Sequence, residues 1–174
     1  DQPTGPARVF AYWADPATGV LPGGARGVDA SVNAVFLSTY GMLLLELEDG
    51  EGLSLQLKAG KSMDWQAPVH SALPPAQELA LWWLNPETGL WEEGPGVFVS
   101  GNKVMGQMDK TGYWSLAAAS PLVQVRGWVF EPGGSPARAV EARISGPDGR
   151  VLAGGQTQSQ GKFTLDMPGG VPSE

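Results

Sequence analysis

The stretch Trp83–Trp91 reads W-L-N-P-E-T-G-L-W, and Trp13–Leu21 echoes it as W-A-D-P-A-T-G-V-L. Both obey one pattern, W-x-[D/N]-P-x-T-G followed by two apolar residues. Each position has a mechanical task in a tight turn. The side-chain oxygen of Asp15 or Asn85 accepts a hydrogen bond from the backbone N–H two residues on, and Pro16 or Pro86 pre-sets the next φ. Gly19 or Gly89 supplies the left-handed conformation that re-enters the partner strand, while the hydroxyl of Thr18 or Thr88 bonds the turn. The flanking Trp and the apolar pair then meet across the hairpin, where such pairs stabilise by ~0.2–1 kcal/mol. The echo reads as one hairpin device used twice, in preference to a duplicated ligand site.

The same grammar runs outward in both directions. Period-two alternation marks candidate strands at Arg8–Trp13, Ala34–Ser38, Tyr40–Glu48, Leu53–Lys58, Lys61–Gln66, Glu78–Leu84 and Leu90–Glu93. Further candidates are Val97–Ser100, Lys103–Asp109, Gly112–Ala117, Val123–Phe130, Ala137–Ile144, Val151–Thr157 and Lys162–Met167. Turn residues separate them at Asp49–Gly52, Ala59-Gly60, Gly101-Asn102, Pro147–Gly149 and Gln160-Gly161. The Ala-rich Leu116–Ala119 is the one helical piece, and it is too short to count. With 25 Gly and 15 Pro, frequent turns are expected and long helices are not. Fourteen short strands at this spacing predict an all-β chain of antiparallel sandwiches.

Composition narrows the function. The net charge is −7 and the 11 basic residues are scattered, so a nucleic-acid partner is not expected. With no cysteine, disulfides and thiolate metal sites are excluded. No apolar run, Met42–Leu45 included, approaches the ~20 residues that span a bilayer. No secretory leader is visible, so export has to be argued from other features.

Catalytic chemistry is sparse. His70 is the single histidine and sits in the Pro-rich Pro68–Pro75, a loop reading. Gly23–Gly27 lacks the lysine of a phosphate cradle and also reads as a loop. Glu92 and Glu93 are adjacent, so a strand points them to opposite faces and they share no proton. Asp49 and Glu51 read as a solvated hairpin tip in preference to a calcium pair. No acid, base and nucleophile assemble, and neither cofactor nor metal is expected. Tryptophan is the anomaly, at seven residues. Trp82 and Trp83 are consecutive, so one must turn away from the strand's own core. Either a neighbouring domain covers that face, or Trp82, Trp83 and Trp91 supply aromatics for a protein interface or a sugar platform.

Several runs taken in order resemble a known module. They are Leu21–Gly24, Gly27–Ala30, Leu37–Gly41, Leu45–Asp49, Leu53–Lys61 and, most specifically, Leu81–Gly94. They resemble a bacterial surface-protein module related to a region of cartilage intermediate layer protein. Gln124–Gly169, with V-R-G-W-V-F at its start and Gly161–Leu165 near its end, resembles a carboxypeptidase-regulatory-like (transthyretin-like) β-sandwich. The resemblance implies two antiparallel Ig-like or transthyretin-like sandwiches in tandem, at 1–120 and 121–174. It implies an exported, bacterial, extracellular or cell-surface chain with a non-catalytic structural or adhesive role. Its partners would be copies of itself or neighbouring surface domains, with a glycan as the alternative.

Two departures from the family pattern matter. Autoproteolytic cousins break beside the serine of a His-Phe-Ser triplet, whereas this chain has Tyr113-Trp114-Ser115. Without the histidine, Ser115 has no adjacent base and no self-cleavage is expected. The second sandwich also has four candidate strands where about seven are usual. The chain is then a piece of a longer one, or a shorter sandwich suffices, or the first module or a neighbouring subunit supplies the missing strand. The last option describes a filament subunit assembling by strand sharing.

Overall fold

The computed structural model describes residues 5–14, 22, 24–68, 79–145 and 151–170. Among them lie thirteen strands and no helix. These are β1 (Arg8–Ala14), β2 (Arg26–Val28), β3 (Ala34–Glu48), β4 (Ser54–Leu55), β5 (Met63–Pro68), β6 (Leu79–Leu84) and β7 (Trp91–Gly96). Then follow β8 (Phe98–Ser100), β9 (Lys103–Met108), β10 (Gly112–Trp128), β11 (Glu141–Ser145), β12 (Val151–Gln156) and β13 (Lys162–Pro168). The all-β expectation therefore holds.

Several strand assignments are corrected: Leu53–Lys58 shortens to Ser54–Leu55, and Ala137–Ile144 begins only at Glu141. Ala34–Ser38 and Tyr40–Glu48 are one strand, because nothing at the β-branched Thr39 interrupts the pleat. Gly112–Ala117 and Val123–Phe130 likewise merge into β10, through the alanines once read as helical. Pro121 lies between the end of the β6 ladder at Ala118 and the start of the β13 ladder at Leu122, so its missing N–H costs neither of these two ladders a bond. Arg26–Val28, read as part of a glycine loop, is a strand instead, and it pairs in parallel with β7 through Gly27↔Trp91 and Val28↔Glu92. The expected uniformly antiparallel pairing fails at this contact, since side-chain alternation carries no signal for a neighbour's direction.

The chain divides into two compact units, Asp1–Asn33 with Leu37–Ala119, and Ala34–Phe36 with Ser120–Glu174. In the first, the hydrogen-bonded order runs β1-β3-β2-β7-β6-β10, with β4 also on β3. Because β10 pairs back onto β3, the five strands β3, β2, β7, β6 and β10 close into a ring. A separate sheet, β5-β9-β8, packs on one face of it. Leu43, Leu45, Leu81, Trp114 and Leu116 from the ring meet Ala67, Val104 and Met108 from the small sheet, all buried. Trp13 and Trp65 join this core with ring centroids 5.9 Å apart and planes 28° from parallel. Their packing needs Gly41, since a Cβ there would lie 2.1 Å from Trp13 Cζ2.

The second unit pairs β10 with β13, from Leu122↔Pro168 to Trp128↔Lys162, and β11 with β12. Four strands lie here among the described residues, the number read from the sequence. Its core is small: Val35, Phe36, Ala137, Leu165 and Met167. Thr157 is buried among them and satisfied, its hydroxyl donating to Ala137 O at 2.8 Å and accepting from Val140 N–H at 3.0 Å.

The hairpin device is visible at its second occurrence. Asn85 Oδ1 accepts from Glu87 N–H at 2.8 Å, the backbone N–H two residues on. Gly89 N–H donates to Asn85 O at 2.8 Å and Asn85 N–H to Leu90 O at 2.9 Å, with Gly89 at φ 68°. Thr88 Oγ1 accepts from Leu90 N–H at 3.3 Å. Asn85 Nδ2 adds a bond to Glu92 Oε1 at 2.7 Å, tying the turn to β7. The turn of the first echo, Asp15–Leu21, lies outside the described residues, as do Pro147–Gly149 and His70.

Two substitutions test this account by urea denaturation. Gly41→Ala drives a methyl into the Trp13 ring and is expected to cost ~1–3 kcal/mol. Asn85→Ala removes two side-chain bonds and is expected to cost ~1–2 kcal/mol, with the strand content unchanged by circular dichroism.

Candidate functional site

Strand β6, L-A-L-W-W-L, is apolar on both faces, and the ring explains how both are covered. Its register with β10 sets Trp83 opposite Trp114, Trp82 opposite Ser115 and Leu81 opposite Leu116. Leu81, Trp83, Trp114 and Leu116 thus share the face that meets the small sheet. Trp82 and Ser115 share the other face, which is the inside of the ring. There Trp82 is 1 % exposed, and a Cβ on Gly27 would lie 3.2 Å from both its Cε3 and Leu37 Cδ1. Only a residue without a side chain lets β2 approach this closely.

Of the readings open for these tryptophans, the covered one describes Trp82 and Trp91. Trp82 and Trp91 are buried and offer no ring face to water, so neither forms a sugar platform. Trp91 is anchored through Nε1 to Gly24 O at 2.8 Å. Trp83 is half-buried, donates to Thr111 O at 2.9 Å and carries Lys110 Nζ 4.0 Å from its ring centroid. That face is occupied by the chain's own cation.

The Tyr113-Trp114-Ser115 stretch is also explained by packing. Ser115 is fully buried and its hydroxyl bonds to Thr39 Oγ1 at 3.0 Å, a second hydroxyl and no base. Trp114 Nε1 donates to Lys110 O at 3.1 Å, while Tyr113 is 40 % exposed.

The acidic residues are used to close turns. Asp49 accepts from Glu51 and Leu53 N–H, both at 2.9 Å. Asp29 accepts from Ser31 N–H at 3.0 Å and Asn33 N–H at 2.7 Å, and the backbone bond from Asn33 is the largest cause of its lowered pKa. Glu92 and Glu93 pair with Trp83 and Trp82 respectively, so they point to opposite faces as expected. Glu93 Oε2 takes the Ala30 N–H at 2.8 Å. No cluster of three or more potential metal ligands occurs among the described residues.

Two surface features were not legible beforehand. An open cleft of about 740 Å³ lies where β8 diverges from β9, lined by Trp65, Val97, Phe98, Met105, Asp64 and Gln107 among others. The second is β1, which pairs with β3 from Arg8↔Glu48 to Ala14↔Met42 and with no strand on its other edge among the described residues. Val9, Phe10 and Tyr12 are 55 %, 47 % and 68 % exposed along it. The alternation of β1 was readable, but its place at the margin of the sheet was not.

Comparison with known proteins gives a partial answer. The chain is 36 % identical over 98 residues to cartilage intermediate layer protein 2 of Homo sapiens, covering 53 % of this chain and 8 % of that protein. It is 34 % identical over 95 residues to the Mus musculus protein of the same name, covering 52 % and 8 %. The similarity thus reaches about half of the chain, and the chain spans under a tenth of those relatives. No family model and no solved structure matches it.

The two adjacent tryptophans are expected to respond differently to truncation in chemical denaturation. Trp82→Ala empties the ring interior and should cost ~3–5 kcal/mol, whereas Trp83→Ala, half-buried, should cost about 2 kcal/mol. Equal and small losses would contradict the ring assignment.

Proposed function

We propose that this chain is a non-catalytic structural or adhesive protein of the bacterial surface or its surroundings, a filament subunit whose copies join by sharing strand edges. Under this reading the units are Ig-like or transthyretin-like sandwiches in tandem, the second a carboxypeptidase-regulatory-like fold short of its full strand set. The observation that carries the proposal is the outer edge of β1, which no strand pairs among the described residues. Natural sheets protect such edges with lysine, proline, bulges or a covering loop. β1, R-V-F-A-Y-W-A, has only Arg8 at one end, and its exposed residues are apolar or aromatic.

The strand is also complementary to itself. Antiparallel pairing of two copies about Ala11 sets Phe10 opposite Tyr12 and Val9 opposite Trp13. Aromatic and β-branched partners of this kind stabilise cross-strand contacts. Such an interface combines main-chain hydrogen bonds with side-chain pairing, the usual economy of strand addition. A second copy is therefore the partner favoured here. The extracellular setting draws support from the two relatives, which are named for cartilage, and the bacterial setting from the resemblance of the motifs quoted above. Ser115, buried against Thr39, supports a structural role for the one stretch that resembles a reactive site.

The test is analytical ultracentrifugation with negative-stain electron microscopy over a wide concentration range. The wild-type chain is expected to form ordered assemblies, and Phe10→Lys/Tyr12→Lys to stay monomeric with an unchanged melting temperature. A wild-type chain that remains monomeric throughout overturns the proposal.

A further inference from the structure

Six of the seven tryptophans are buried or half-buried in the first unit. Trp128, in the second, is different: it is 59 % exposed. It stands at the end of a row on β10 formed by Gln124, Arg126 and Trp128, directly opposite Asp166, Thr164 and Lys162 of β13. The reverse face of this strand pair is apolar, with Leu165 and Met167 buried and the Phe163 ring lying where a Cβ on Gly127 would come within 2.5 Å of it. The strand pair is therefore two-sided, with core behind and a polar, water-facing row carrying one indole in front.

That row is pre-arranged. Gln124 Nε2 donates to Asp166 Oδ1 at 3.2 Å, and Arg126 donates to Gln124 Oε1 through Nε at 2.9 Å and through Nη2. Three planar groups are thus locked to one another beside the ring. Arg126 Nη1, the Lys162 ammonium and the Thr164 hydroxyl have no partner among the described residues.

A protein partner would have to bury Arg126, Lys162 and Asp166 together, the residue types that interface centres avoid, arginine excepted. A sugar fits the same row without that cost. Its C–H face stacks on the indole, and its hydroxyls meet fixed planar donors and acceptors while the charged groups stay wet. Charge refines the class. The chain as a whole carries −7, yet this face sets Arg126 and Lys162 against the single carboxylate of Asp166, which is already bonded to Gln124.

We propose that the Trp128 face binds an acidic polysaccharide, a glycan bearing sugar carboxylates. Trp128 stacks on a sugar ring, Arg126 and Lys162 pair with carboxylates, and Thr164 and Gln124 meet hydroxyls. The row from Gln124 to Trp128 spans roughly 13 Å, enough for a short run of sugar units. This site is independent of strand sharing, because β1 belongs to the first unit and Trp128 to the second.

The test uses the whole chain, with soluble polygalacturonate as the acidic probe and hydroxyethylcellulose as the neutral one. Binding is read by isothermal calorimetry and by tryptophan fluorescence. The wild-type chain is expected to bind polygalacturonate, more weakly as salt is raised, and to prefer it over the neutral polymer. Trp128→Ala should weaken binding about tenfold or more, at an unchanged melting temperature. Arg126→Gln/Lys162→Gln should abolish the preference for the acidic polymer. No binding to polygalacturonate, equal binding of both polymers, or full binding by Trp128→Ala would each overturn the assignment. So would a Trp128→Ala chain that loses self-association when no polymer binds the wild type, since the face would then be a protein interface.

Discussion

Everything in the first unit depends on where two consecutive tryptophans can go. A strand reading L-A-L-W-W-L has no face it can leave in water without exposing an indole. An open sheet with one covered side cannot satisfy it. Closing the sheet does, because each strand then has an inside and an outside, and a second sheet can cover the outside. Trp82 takes the inside and Trp83 the outside, beside Trp114. The glycines follow from the same demand: Gly27 lets β2 lie against Trp82, and Gly41 lets Trp13 lie across β3. At these two positions a large ring is accommodated by the missing side chain opposite it.

The turns show a second economy. Asp29, Asp49 and Asn85 all accept a hydrogen bond from the backbone N–H two residues on, and both aspartates also reach the N–H four residues on. These side chains take over pairing that a tight turn denies to its own backbone. In a chain with many short strands, such residues fix where each strand ends. The W-x-[D/N]-P-x-T-G echo belongs to this vocabulary, and at Asn85 it serves shape.

Much of the strand content was legible in the sequence because period-two alternation and turn chemistry are local. The Asn85 side-chain bond to Glu87, the Thr88 hydroxyl bond and the left-handed Gly89 follow from local turn chemistry, although Trp83 lies opposite Glu92 and not opposite the apolar pair; β1, β9 and β13 fall within a residue or so of their expected limits. What stayed hidden depends on distant partners. β2 has three residues and no alternation to read, and it exists because β3 and β7 flank it. The alanines of β10 have weak strand preference and are held by Leu79, Ala80 and Leu81 across the ladder. The readings of Trp82 and Trp83 stay open in the sequence for a related reason. Adjacency shows that the two face apart, but only ring closure shows that Trp82 is sealed inside while Trp83 is half-buried. The exposure of Trp128 is not local information either, since it depends on which strands do not cover it.

The buried contact between Ser115 and Thr39 also bears on how the chain avoids folding errors. A ring of short, similar strands admits frame-shifted isomers in which β10 is displaced along its neighbours. A shift of one residue would turn Trp114 inward against Trp82, and the interior has no room for both. A shift of two would move the serine hydroxyl away from Thr39 and leave the fully buried Ser115 without that partner. One arrangement is therefore singled out by bulk at one position and by polarity at the next, so the interior works as a combination lock as well as a core.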